Sequence, residues 1–125
     1  MRILFLAPDY FGLHMPIIDE MEHQGHEVIW VEDIDIPYNF RLPRTGFNKL
    51  LCKVNAVLKR PHKRFWKRII KERKNDFNKP FDLFFCINGR TLCPELFDYL
   101  NKMQGIRKVM YVWDTQKVFD FYYYK

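Results

Sequence analysis

Four short runs dominated by apolar residues, Ile3–Ala7, Val28–Val31, Asp82–Ile87 and Lys108–Trp113, alternate with stretches whose apolar residues recur at helical spacing. Continuous apolar runs of this length mark strands buried on both faces of a parallel sheet, and only covering helices provide that burial. Leu13, Ile17, Ile18 and Met21 line one side of a first helix, with Asp19, Glu20 and Glu22 opposite and Gly25 at the C-cap position. Phe47 to Lys74 is helical in period, and Pro61 should split or kink it, because proline lacks an amide donor and clashes with the preceding turn. Pro94 suits the first position of a helix carrying Leu96, Phe97, Leu100 and Met103, closed by Gly105. Residues 34–46, with Pro37, Pro43 and Gly46, read as loop, and the aromatic tail Val118–Tyr124 as a further helix. The alternation predicts an α/β, Rossmann-like three-layer sandwich, one domain over residues 1–125. Its parallel sheet has about four strands, and a helical insert follows the second.

Charge is distributed unevenly over this frame. The net charge is +6, yet residues 41–74 hold thirteen Lys and Arg and one acid, Glu72. The remainder holds eight basic and fourteen acidic residues. Hydrophobic residues at 48% exclude a disordered chain, and no apolar run is long enough to span a bilayer. Within the basic block, Phe65, Trp66, Ile69 and Ile70 form a stripe beside Arg60, Arg64, Lys67, Arg68 and Lys71. A basic amphipathic helix of this kind fits a membrane surface, with anionic lipid the favoured polyanion and nucleic acid the second. The plain alternative is a solvated helix whose stripe packs on the sheet. Phe47, Leu50, Leu51, Val54 and Leu58 form another stripe upstream.

Cys52, Cys86 and Cys93 show neither C-x-x-C spacing nor a matching pair of histidines, which argues against a disulfide framework or a zinc site. The apolar start is too short for a secretory signal and lacks a cleavage site, so a cytoplasmic location is expected.

Ligands of open α/β sheets bind beyond the carboxyl ends of the strands. The first such loop, Pro8 to His14, has neither a dinucleotide fingerprint nor a phosphate loop, so no nucleotide cofactor is expected, and the cysteine and histidine spacing gives no metal. Asp9 and His14 fit a general base with its partner, and Asp9 equally fits a helix cap. Gly12 fits a tight turn, and a histidine in a first helical turn fits a surface position. Asn88-Gly89-Arg90-Thr91 precedes a helix N-terminus, where exposed amides and Arg90 could hold an anionic or hydroxyl-rich ligand or simply form a capped turn. The acidic stretch Glu32–Asp35 ends the second strand, and Trp113-Asp114, an aromatic plane beside a carboxylate, ends the fourth.

The start Met1-Arg2-Ile3-Leu4-Phe5-Leu6-Ala7-Pro8, the turn Glu22-His23-Gln24-Gly25-His26-Glu27-Val28 and the strand end Trp113-Asp114 resemble the N-terminal domain of GT-B glycosyltransferases. The likeness is to bacterial enzymes of the spore-maturation-protein type. It implies a domain that recognises a sugar acceptor, facing a second domain that binds most of the nucleotide-sugar donor. No second domain lies within these residues, so the chain reads as half of a larger enzyme, inactive alone. On that implication Asp9 is the catalytic base, and Tyr10, Gly12, His14, Asn88, Arg90 and Asp114 line the acceptor side. The rival expectation is a stand-alone α/β module that docks its basic helix on nucleic acid or another polyanion.

Overall fold

In the computed structural model, which describes residues 1–34 and 46–112, the apolar runs are strands. β1 (Arg2–Ala7), β2 (Glu27–Glu32), β3 (Leu83–Ile87) and β4 (Arg107–Tyr111) form one parallel sheet in the order β2-β1-β3-β4. The helices are α1 (His14–His23), α2 (Gly46–Val57), α3 (Arg60–Glu72), the single turn α4 (Lys74–Phe77) and α5 (Pro94–Asn101). The Rossmann-like α/β architecture with a helical insert after the second strand is therefore present. The expected loop around Pro37 and Pro43, together with Trp113, Asp114 and the aromatic tail, lies outside the described residues.

β1 is central and buried along its whole length, which explains the unbroken apolar run that follows Arg2. Alternation along it separates two cores. Ile3, Phe5 and Ala7 join Ile87 on one face and meet Ile17, Ile18 and Met21 of α1. Leu4 and Leu6 join Ile29, Val31, Phe84 and Cys86 on the other face, under Phe65 and Trp66 of α3 and Leu96 and Leu100 of α5. Strand register reinforces the core under α1: Phe5 pairs with Trp30 and with Phe85, and the Phe5 and Phe85 rings stack 5.3 Å apart. β4 is an edge strand, and its residues are exposed.

The proline at 61 acts as its chemistry requires. α2 stops at Val57, Lys59 turns the chain in the left-handed region at φ 47°, and α3 begins with Pro61 in its first turn. The apolar stripe of α3 belongs to the core. Phe65 and Trp66 are buried, and the Trp66 indole donates to the carbonyl of Thr91 at 2.8 Å. Here the plain reading of that stripe is the correct one, and α3 keeps no apolar face for lipid. The stripe of α2 is the exposed one.

Two basic residues of the insert serve the fold directly. Lys63 pairs with Glu95 of α5 at 2.7 Å, and Arg73 donates to the Trp30 carbonyl at 2.6 Å and to Asp76 at 2.9 Å. At the amino-terminal end of the central strand, the buried Arg2 guanidinium reaches Glu27 and the carbonyls of Asp76 and Lys79, and lies over the Phe81 ring. Among the described residues no helix is long and apolar enough to cross a membrane.

Candidate functional site

The chain leaving β1 runs to β2 on one side, and the chain leaving β3 runs to β4 on the other. The carboxyl ends of β1 and β3 therefore flank the topological switch point, where connections diverge and leave room for a ligand. Both strand ends turn through two consecutive left-handed residues. These are Phe11 and Gly12 after β1, at φ 52° and 73°, and Asn88 and Gly89 after β3, at φ 67° and 76°.

In the first loop the Asp9 carboxylate accepts from the Gly12 amide at 3.2 Å, which closes the turn ahead of α1. The helix itself begins after Leu13 without a side-chain cap, so Asp9 shapes the loop rather than capping α1. Oδ1 of Asp9 lies 3.3 Å from Nδ1 of His14. His14 is no surface histidine: it is 5% exposed, with its ring stacked on Trp30 of β2 at 4.1 Å and 13°. The Trp30 indole in turn donates to the Ala7 carbonyl at 3.1 Å. A fixed imidazole thus stands behind a carboxylate that is half-exposed to solvent.

The second loop is fastened from two sides. The buried Asp33 carboxylate, just past β2, accepts from the amides of Arg90 and Thr91 at 2.7 Å each and from the Thr91 hydroxyl at 2.8 Å. From α3, the Nε2 of His62 donates to the Arg90 carbonyl at 2.8 Å, and Trp66 takes that of Thr91. Burial pushes the Asp33 carboxyl above its usual range, against the pull of these donors. The arrangement decides the anion question for these amides. The Arg90 and Thr91 N–H groups expected to meet a ligand already hold a carboxylate from within the chain, and Asp33 itself faces inward.

The Arg90 side chain remains directed at the site. Its guanidinium lies over the Tyr10 ring, 5.6 Å from the centroid, so the two loops meet there. Asp9, Tyr10, Gly12, His14 and Arg90 are accordingly gathered at the switch point. Asn88 is at the same strand end but wholly buried, its backbone N–H donating to the Tyr111 carbonyl at 2.9 Å. Asp114 lies outside the described residues. Sequence reasoning gave no role here to Phe11, which stands fully exposed in left-handed backbone two residues from Asp9, or to Asp33, His62 and Trp66, which hold the second loop. Among the described residues no three His, Cys, Asp or Glu side chains gather as metal ligands would. No protein-family model matches the chain, and no curated protein or solved structure matches it either.

Proposed function

We propose that this chain is the acceptor-side domain of a nucleotide-sugar-dependent glycosyltransferase, cytoplasmic and acting in glycan or surface-polysaccharide synthesis. The observation that carries the reading is the Asp9–His14 pair at the end of the central strand. Glycosyl transfer needs a base for the acceptor hydroxyl. Asp9 takes that proton as the hydroxyl oxygen attacks the anomeric carbon, and the nucleotide leaves on a donor held mainly by a second domain. The Gly12 amide holds the Asp9 carboxylate, and His14, stacked on Trp30, stands 3.3 Å from it. Tyr10 offers a ring face and Arg90 its donors to a hydroxyl-rich acceptor, and no cofactor is required. Without the donor-binding half the domain does not transfer sugar.

The test is transfer by the polypeptide that joins this domain to its donor-binding partner. Asp9→Asn should lower turnover at least about a hundredfold, the lower range for a general base, while donor binding is kept. Turnover equal to the parent enzyme would remove Asp9 from the reaction.

A further inference from the structure

Helix α2 carries Phe47, Leu50, Val54 and Val57 at spacings that place them on one face. Phe47 and Val57 are each 72% exposed and Leu50 is 57% exposed, with Leu58 also in solvent just past the helix. An apolar row of this length left in water marks an interaction surface rather than scattered surface residues. The next helix is its chemical complement. Arg60, Arg64, Lys67, Arg68 and Lys71 of α3 are exposed, with no carboxylate in ion-pair distance among the described residues.

We propose that this insert docks the protein on an anionic lipid bilayer, with the α2 row entering the headgroup–acyl boundary and the α3 cations meeting lipid phosphates. The two helices divide the work that a single amphipathic helix would do. The apolar side of α3 is occupied by the sheet, with Phe65 and Trp66 buried there, so α3 contributes charge alone. The choice of partner follows from the pairing of surfaces. The core of a protein–protein interface is depleted in charged residues, whereas this insert sets a dense and almost acid-free group of cations beside its apolar row. Nucleic-acid phosphates would satisfy the cations and leave the aliphatic row of α2 in water. An anionic bilayer accepts both, since apolar area and lysine or arginine charge add in interfacial binding. This proposal rests on α2 and α3 and is independent of the sugar-transfer reading.

Sedimentation of the 125-residue chain with vesicles tests it. Vesicles containing phosphatidylglycerol should carry the chain down, pure phosphatidylcholine vesicles should not, and added salt should release it. Arg64→Glu, Lys67→Glu and Arg68→Glu together should weaken binding by about a hundredfold or more, since each cation near such a surface is worth roughly a fivefold change. Phe47→Asp with Leu50→Asp should weaken it at least tenfold by the lost apolar burial, while the thermal melt of the chain stays unchanged because both positions are exposed. Equal binding to both kinds of vesicle would overturn the electrostatic half of the proposal, and full binding by the α2 variant would overturn the insertion half. Failure to bind vesicles, accompanied by self-association or by capture of duplex RNA, would replace lipid with that partner.

Discussion

Asp33→Ala should destabilise the fold by about 4 kcal/mol, because three donors, two of them buried, lose their acceptor at once and a buried one is worth about 1–3 kcal/mol when left unmet. The donors are the Arg90 and Thr91 amides and the Thr91 hydroxyl, and Asp33 and Thr91 are both buried. The sum is not fully additive, because removal also relieves the burial that pushes the carboxyl upward. Asp33→Asn should lose less, about 2 kcal/mol, since its carbonyl oxygen still accepts while its NH2 faces a donor. Urea unfolding measures both, and an alanine variant within about 0.5 kcal/mol of the parent would mean that the loop is held otherwise.

The sign of the pH effect follows from the direction of the shift. The folded carboxyl titrates above its ordinary 3.8, so the native state retains the proton longer than the unfolded chain does. Asp33's contribution to stability is therefore greatest at acid pH and declines as pH rises through the interval from 3.8 to the folded value. Asp33→Asn should remove that slope.

Gly89→Ala should destabilise by about 3 kcal/mol, combining left-handed backbone strain of about 1–2 kcal/mol with overpacking of about 1–3 kcal/mol. Gly89 sits at φ 76°, and an added Cβ would run into the Leu92 side chain and stand 3.1 Å from Cys86 Sγ. Leu92 and Cys86 are both core residues, so neither can retreat without disturbing the sheet. Gly105 is the control, with φ 75° and nothing within 4 Å of the same Cβ. There alanine meets only the backbone term, about 1 kcal/mol. A difference of about 2 kcal/mol between the two variants is expected in chemical denaturation, and equal losses would mean that the Gly89 turn relaxes freely.

What the sequence made legible was what local chemistry decides. A strand buried on both faces must be apolar along its core-facing length, and β1 is from Ile3 to Ala7. A proline inside a helical pattern must end a helix, and Pro61 begins α3. Asn88-Gly89 carried a further signal, since this dipeptide favours left-handed turns, and both residues are left-handed here. Contacts between distant segments were not legible. Asp33 meets a loop almost sixty residues away, and His14 is buried because Trp30 comes from the neighbouring strand. Periodicity likewise gave α2 and α3 an apolar side each without saying which one the sheet would cover. The sheet covers α3.

Amide chemical-shift mapping of the 125-residue chain against a panel of hexoses, N-acetylhexosamines and their short oligomers tests the sugar-acceptor site most directly. The switch-point reading predicts saturable shifts concentrated at Asp9, Tyr10, Gly12 and Arg90, and their loss in Tyr10→Ala. Saturable shifts confined to α1, α5 or the β4 edge, or no shift with any member of the panel, would contradict it.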